Sequence, residues 1–105
     1  MAWLYLAIAV VSEVIGTLAL KASDGMSKIV PAITVVIAYL TAFFLMSQTL
    51  KTIPVGITYA VWSGLGIVGA TLGAYFLFGQ ALSRQALIGM VIIIIGVVIL
   101  NLNQN

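Results

Sequence analysis

Hydrophobic residues fill four long stretches of the chain, and nearly all the charged residues fall between them. The first stretch carries a single charged side chain, Glu13, and the other three carry none. Because a helix of about 20 residues crosses ~30 Å of hydrocarbon, each stretch is long enough for one crossing and too short for two. The sequence therefore predicts one all-α domain over residues 1–105, with transmembrane helices at 3–20, 29–50, 54–77 and 85–103.

Turn residues mark the boundaries between these helices. Residues 23–25 read Ser-Asp-Gly, Pro54 favours a helix start, and residues 78–80 place a glycine where the third helix would end. Residues 91–95 are a run of β-branched side chains that favours a strand by propensity alone. A lone strand cannot satisfy its backbone hydrogen bonds inside a bilayer, so a helix is predicted there as well.

Composition excludes most other classes of protein. The chain is 64% hydrophobic and 6% charged, whereas a soluble domain has roughly 25% charged residues. It is too hydrophobic to be disordered and has no basic patch for nucleic acid. Histidine and cysteine are absent, so we expect no metal site, no cofactor and no enzymatic activity. The sequence predicts a multi-pass protein of the cell inner (plasma) membrane.

The charges outside the helices hardly distinguish the two sides of the membrane. With four helices, Lys51 lies on the same side as both termini, and Lys21, Lys28 and Arg84 lie on the other. So weak a bias is compatible with insertion in both orientations, and therefore with an antiparallel, dual-topology homodimer. Many secondary transporters build their central site from two inverted halves, and this chain has room for only one. A second copy would supply the rest.

Glu13 is the most informative residue of the sequence. A charge near the centre of a transmembrane helix costs about 2.5–3.5 kcal/mol on insertion scales, and such residues are usually functional. Desolvation favours the neutral form of a carboxyl group, and a facing carboxyl group in a second copy favours it further. We therefore expect Glu13 to bind a proton when the site is empty and to ionise when a cation arrives. The alternative is a permanently protonated, structural glutamate.

The face of the first helix that carries Glu13 consists mostly of small residues. At helical spacing these neighbours leave space beside the carboxylate, and all of them except Leu20 are predicted to line a pocket. Close packing against another helix explains the same small residues equally well. The residues on this face are Leu6, Ala9, Val10, Gly16, Thr17 and Leu20.

Aromatic residues lie where they can meet a cation. Tyr59 and Trp62 are three residues apart and share one face of the third helix, and Tyr39 lies near the middle of the second. Aromatic rings attract organic cations by about 2 kcal/mol or more when desolvated. The alternative role, an anchor at the membrane interface, does not suit a residue as deep as Trp62. We expect these three rings to bind substrate and Ser63 to line the pocket.

Two pairs of glycines suggest helix contacts or bending points. Gly64 and Gly66 lie in the middle of the third helix, where they favour either close packing or a kink that serves alternating access. Gly89 and Gly96 lie seven residues apart on one face of the fourth helix, between bulky branched residues. Because that helix has no polar group in its interior, a dimer contact is its expected role.

The sequence resembles the small multidrug resistance family over essentially its whole length. The most specific elements are the central glutamate of the first helix and the pattern Tyr-Ala-x-Trp-x-Gly-x-Gly in the third. The resemblance implies an antiparallel homodimer that exchanges cations for protons at Glu13 of both subunits. It also assigns aromatic site residues to Tyr39, Tyr59 and Trp62, a kink to 64–66 and the dimer contact to the fourth helix. The matching runs are 13–17, 54–56, 59–66, 79–80, 89–90 and 96–98.

Two positions indicate a branch within that family. The guanidinium-exporting branch usually has a tryptophan where this chain has Gly16, and tends to have a serine where it has Ala42. Both differences favour the branch that exports quaternary ammonium and polyaromatic cations. Ser12 stands where the family commonly has alanine or glycine, and its hydroxyl group can bond the neighbouring carboxylate.

The expected function is therefore proton-coupled export of hydrophobic, aromatic and quaternary ammonium cations. The expected partners are a second copy of the chain, the lipid bilayer, the organic cation and protons, with no nucleic acid. Three alternatives stay open: a guanidinium-type exporter of the same family, a passive dual-topology ion channel and a non-transporting assembly subunit. A channel would conduct without obligatory exchange of protons, and an assembly subunit would need packing residues alone.

Overall fold

The computed structural model describes residues 1–102, and this part of the chain forms four α-helices. They are α1 (Ala2–Ala22), α2 (Ile29–Thr49), α3 (Val55–Phe78) and α4 (Arg84–Leu102). Each helix is long and apolar enough to cross a membrane, so the prediction of four transmembrane helices is confirmed. The helix ends lie within two residues of the expected ones, and the expected last helical residue, 103, lies outside the described residues.

A tight turn joins α1 to α2, and Ser23 holds it together. The buried Ser23 hydroxyl group donates a hydrogen bond to the carbonyl oxygen of Leu20 (2.7 Å) and accepts one from the Met26 N–H (2.9 Å). Asp24, Gly25 and Met26 have φ angles of 50°, 71° and 68°, so the chain reverses through three consecutive left-handed residues. The hydroxyl group satisfies backbone groups that the end of a helix leaves free.

The connection from α3 to α4 also uses end-specific residues. Gly79 ends α3 in the left-handed conformation with φ 65°, and the Gln80 N–H donates to the carbonyl oxygen of Ala74 at 3.3 Å. Ser83 precedes α4, and its Oγ accepts a hydrogen bond from the Ala86 N–H at 3.0 Å. Gly79 therefore ends α3 and Ser83 caps α4, and these two residues bound the short loop between the helices.

The helices are arranged as an open layer rather than a closed bundle. Helix α1 packs against both α2 and α3, and α4 packs against α3. The described chain measures 45 × 34 × 17 Å, and helices at 8–10 Å spacing would stand about 30–35 Å wide if four were placed side by side. The broad faces of the layer are consequently left for lipid or for other protein.

The buried apolar core of the protomer is small. Its main cluster consists of Leu6 and Val10 of α1 packed against Ile53, which precedes α3, and against Ile57 and Val61 near the start of α3. Most other large hydrophobic side chains are exposed. Exposed apolar area of this extent suits a bilayer, where lipid tails cover it.

Two glycines let α1 and α3 approach closely in the half of the membrane that lies away from the buried apolar core. A Cβ atom at Gly69 would lie 2.8 Å from Val14 Cγ2, and one at Gly73 would lie 2.6 Å from Leu18 Cδ1. Real Cβ atoms do not approach other carbons so closely, so neither position accepts a larger residue without movement of its neighbour. These contacts hold the two helices that carry the candidate site.

Candidate functional site

The carboxylate of Glu13 lies half-buried between α1 and α3 and is held by hydroxyl groups. Thr17, one turn further along α1, donates a hydrogen bond from Oγ1 to Glu13 Oε1 at 2.8 Å. The Tyr39 hydroxyl group of α2 lies 2.9 Å from the same Thr17 Oγ1. An ionised carboxylate only accepts hydrogen bonds, so in that state Thr17 donates to Glu13 and Tyr39 donates to Thr17. The three residues form a chain of hydrogen bonds from α2 to the acid.

Helix α3 lies directly against the other carboxylate oxygen. A Cβ atom at the buried Gly66 would lie 2.9 Å from Glu13 Oε2. The absence of a side chain at this position makes the space that the carboxyl group occupies. Gly66 therefore belongs to the site through its contact with Glu13.

A cavity of about 340 Å³ opens beside the carboxylate. Its volume falls at the small end of the range for sites that bind small molecules. The wall is largely apolar, and Glu13 is the charged residue in it, which suits an organic cation of modest size. The lining residues are Glu13, Thr17, Trp62, Ser63, Gly66, Ile67 and Ala70.

Trp62 adds an aromatic side chain to the cavity wall and has a buried hydrogen-bond donor without a partner among residues 1–102. Its Nε1 is buried, and no acceptor for it lies within residues 1–102. The indole ring packs against Phe43 of α2 and Tyr59 of α3, with ring centroids 6.0 and 5.9 Å away, and Phe43 in turn lies 6.3 Å from Tyr39. The rings form a continuous aromatic row from α2 across to α3.

The structure brings some of the predicted site residues into one wall and leaves others outside it. Glu13, Thr17, Trp62 and Ser63 line the cavity together. Tyr39 does not line it, but reaches the acid through Thr17. Tyr59 lies on the far side of Trp62, with 62% of its surface exposed; within one protomer it supports the indole ring and faces outward.

Within one protomer, four of the residues predicted to line a pocket lie in contacts between helices. Leu6 and Val10 belong to the buried core, and Ala9 is fully buried. A Cβ atom at Gly16 would lie 2.8 Å from Tyr39 Cε1, so this glycine lets the tyrosine ring lie against α1. Within the protomer this face packs mainly against other helices, and its Thr17 end reaches the cavity.

The remaining glycines differ in what surrounds them. A Cβ atom at Gly64 would lie 2.9 Å from Val97 Cγ2, so this position allows α4 to pack closely on α3. Helix α3 is continuous through this region, and the expectation of a kink at Gly64 and Gly66 remains a prediction. Gly89 and Gly96 have open space beside them, which is compatible with the expected contact to a second copy.

Three site residues are missing from the sequence-based expectations. Ile67 and Ala70 follow Ser63 at intervals of four and seven residues, so helical spacing from Ser63 could have placed them on the cavity face. Phe43 follows Tyr39 by one helical turn, and this spacing was the available signal for the aromatic row.

Ser12 lies on a different side of α1 from the cavity. It lines a groove between α1 and α2 together with Ala38 and Thr41. The hydroxyl group that bonds Glu13 in this structure is that of Thr17. The expectation that Ser12 bonds the carboxylate has no counterpart among these hydrogen bonds.

Four apolar helices and a single acid beside a cavity between them are the features of an integral membrane transport protein. The family profile described as "Small Multidrug Resistance protein" matches residues 1–93. The chain therefore belongs to the small multidrug resistance family, as its sequence pattern predicts.

Individual relatives are similar in sequence to this chain over nearly the full length of both proteins. The quaternary ammonium compound-resistance protein QacE of Escherichia coli is 53% identical over 100 residues, which cover 95% of this chain and 91% of the relative. QacH of Staphylococcus saprophyticus, with the same description, is 45% identical over 96% and 94% of the two chains. The multidrug transporter EmrE of Escherichia coli is 46% identical over 95% and 91%.

Membership of this family confirms three of the predictions made from the sequence. The protein is a four-span integral protein of the bacterial inner membrane. It is a transporter and not an enzyme.

Proposed function

We propose that the protein exports quaternary ammonium and other hydrophobic, aromatic cations across the inner membrane in exchange for protons. The observation that carries the proposal is the Glu13 carboxylate, which faces an apolar cavity walled by Trp62. Relatives named for quaternary ammonium resistance and for multidrug transport support the class of substrate. They favour this class over guanidinium-type cations.

The chemistry of the cavity fits a cation that has no N–H groups. A quaternary ammonium ion cannot donate conventional N–H hydrogen bonds, so its recognition depends on charge, aromatic faces and apolar contact. Glu13 supplies the opposite charge, Trp62 the ring, and Ile67 and Ala70 apolar wall. One acid in an apolar wall selects for charge and leaves the shape of the substrate loosely defined, as a transporter of many drugs requires.

Exchange for protons follows from the use of one carboxyl group for both ligands. When Glu13 is ionised it holds the cation, and when it is protonated the charge that attracts the cation is gone. Thr17 and Tyr39 hold the carboxylate in place through their chain of hydrogen bonds. One pH unit corresponds to about 1.4 kcal/mol per proton, so two protons per monovalent cation support a roughly hundredfold concentration ratio.

The working unit in this proposal is an antiparallel, dual-topology homodimer. The protomer is an open layer, and α4 contributes just one buried residue, Met90, within Arg84–Leu102. The weak charge bias of the loops supports insertion in both orientations. In an antiparallel pair the inward-open and outward-open states are the same structure with the subunits exchanged. Glu13 of both subunits would then bind either the cation or protons.

Transport by purified protein in liposomes tests this function. A labelled quaternary ammonium ion should accumulate inside liposomes whose lumen is acidic, because protons leaving the lumen drive the cation in. Glu13→Gln should abolish the uptake, since an amide cannot exchange a proton. Asp24→Asn is the matched control: Asp24 is the only other acid of the chain, and it lies exposed in the α1–α2 turn. This variant should retain wild-type uptake.

Two outcomes would overturn the proposal in different ways. Flux that ignores the pH gradient and survives Glu13→Gln would indicate a passive channel. Uptake of guanidinium in strong preference to quaternary ammonium ions would indicate the other branch of the family.

A further inference from the structure

A second cavity, of about 290 Å³, adjoins the first between α1 and α3. The two cavities share Thr17 and Ala70 in their walls, so they form one groove that leads from Glu13 to the end of α1. The outer part of the groove is more polar than the inner part. Its lining residues are Thr17, Leu18, Lys21, Ala70, Thr71, Ala74, Phe78 and Gln80.

The groove has a charge of opposite sign at each end. Among the described residues that line the outer cavity, Lys21 alone carries a charge. Lys21 follows Glu13 by eight residues on the same helix, which corresponds to about 12 Å along the axis. Asp24 and Lys28, in the turn that follows α1, lie outside both cavity walls. A cation bound at Glu13 therefore meets repulsion from Lys21 along the groove.

We propose that Lys21 is a specificity-determining residue that limits the charge of the transported cation, by disfavouring dications more strongly than monocations. The inference rests on the proposed function, because it takes the cargo to be an organic cation bound at Glu13. Coulomb repulsion from a fixed charge is proportional to the charge of the ligand. Glu13 alone would attract a dication twice as strongly as a monocation, and Lys21 offsets part of that advantage. In the antiparallel dimer each mouth would carry one Lys21.

Lys21 also has an ordinary structural explanation, from which the proposal must be distinguished. A lysine in the last turn of a helix interacts favourably with the helix dipole. Loss of that interaction would lower the stability of the fold and would reduce the active fraction of the protein equally for every ligand. It would leave the ratio of dication to monocation affinity unchanged. That ratio is therefore the quantity to measure.

Two probes of nearly the same size isolate the effect of charge. N-methyl-4-phenylpyridinium and methyl viologen share a two-ring frame and differ by one positive charge. Their dissociation constants should be measured with the full-length protein in lipid nanodiscs at mildly alkaline pH and low salt. The variants are Lys21→Gln, Lys21→Arg, which retains the charge, and Lys28→Gln, which removes a charge from the same side of the membrane outside the groove.

The proposal makes a quantitative prediction for this series. At about 12 Å and an effective dielectric constant between about 20 and 80, Lys21→Gln should tighten binding of the monocation roughly two- to tenfold. The factor by which Lys21→Gln tightens binding of the dication should be about the square of the factor for the monocation. Lys21→Arg and Lys28→Gln should leave the affinity ratio at its wild-type value. High salt should reduce the difference between wild type and Lys21→Gln.

The possible failures separate this inference from the proposed function. The role of Lys21 would be overturned if Lys21→Gln changed the affinity for both probes by the same factor. It would also be overturned if Lys28→Gln changed the ratio of the two affinities as much as Lys21→Gln does. Neither result would affect the role of Glu13. Unchanged binding of both probes to Glu13→Gln, or no binding of either probe to wild type, would overturn the proposed function itself. The proposal for Lys21 would then fail as well, because it assumes a cation bound at Glu13.

Discussion

At the scale of single residues, Thr17 joins the acid of α1 to the tyrosine of α2. Its Oγ1 lies within hydrogen-bond distance of both Glu13 Oε1 and the Tyr39 hydroxyl group. A hydrogen bond to a charged group contributes about 1.5–3 kcal/mol. The position of one hydroxyl group therefore influences how firmly the carboxylate is held for a cation.

Thr17→Val should weaken cation binding about tenfold at near-neutral pH, because the ionised carboxylate loses its donor. Thr17→Ser keeps a hydroxyl group and should bind nearly as well as wild type. Thr34→Val is the matched control, since the Thr34 hydroxyl group bonds the carbonyl oxygen of Val30 in its own helix. Isothermal titration calorimetry measures the affinities. Equal affinity in Thr17→Val and Thr34→Val would contradict the role of Thr17.

Gly66→Ala should displace the Glu13 carboxylate, because the new Cβ atom would lie 2.9 Å from Oε2. We expect at least a tenfold loss of cation affinity with the fold retained. Gly56→Ala is the control in the same helix, since open space surrounds that position. Tryptophan fluorescence, to which Trp62 in the cavity wall contributes, reports binding of an aromatic cation in both variants. Wild-type affinity in Gly66→Ala would show that the carboxylate does not depend on this contact.

The sequence alone predicts the acid and the indole ring of the candidate site, but not the contacts of Gly16 and Phe43. Glu13 and Trp62 were predictable because a charge and an indole deep in apolar helices both need a specific reason to be there. The roles of Gly16 and Phe43 depend on how α2 packs against α1 and α3. Such contacts are set by the angles and distances between helices, which helical periodicity in a single sequence does not contain.

At the scale of helices, the stiffness of the facing side chain decides what each glycine between α1 and α3 tolerates. Val14 faces Gly69, and Leu18 faces Gly73. Valine is branched at Cβ and is held in one rotamer within a helix, whereas a leucine can move its terminal methyl groups. The two glycines therefore differ in how strongly they resist replacement, despite similar distances.

Gly69→Ala should lower the stability of the protein by about 1–3 kcal/mol, the usual cost of overpacking. Gly73→Ala should cost less, because the Leu18 side chain can turn away. The double substitution Gly69→Ala with Val14→Ala should recover part of the loss, since it removes the methyl groups in conflict. Thermal unfolding in detergent, followed by circular dichroism, measures all three. A larger loss in Gly73→Ala than in Gly69→Ala would contradict this account.

The four helices themselves were predictable from the sequence. Their lengths follow from the spacing of charged and turn residues, and the bilayer excludes the strand that residues 91–95 would favour by propensity. Residues 91–95 lie within α4 in the structure. The order in which the helices pack was not predictable, because nearly every face of every helix is apolar.

At the scale of the whole molecule, α4 packs on α3 and leaves most of its surface exposed. Gly96→Leu should therefore leave the protomer folded, because no atom of residues 1–102 lies within 4 Å of a Cβ atom there. If α4 forms the dimer contact, the same change should prevent dimerisation and abolish transport. Val98→Leu, at an exposed position on another face of α4, should do neither.

Single-molecule fluorescence of labelled protein in nanodiscs counts the subunits in these variants. Dimers in Gly96→Leu with full transport would place the contact elsewhere. The sequence indicates this contact through two glycines at a spacing of seven residues, the apolar interior of the fourth helix and the family resemblance.

Competition between a proton and a cation at Glu13 is tested most directly by cation affinity as a function of pH. In wild type, affinity for a quaternary ammonium ion should fall as the pH is lowered, because protons occupy the carboxylate. The limiting slope should be about tenfold per pH unit for each proton displaced, and binding in weak buffer should release protons. Affinity that stays constant across acidic and alkaline buffers, with no proton release, would contradict the account.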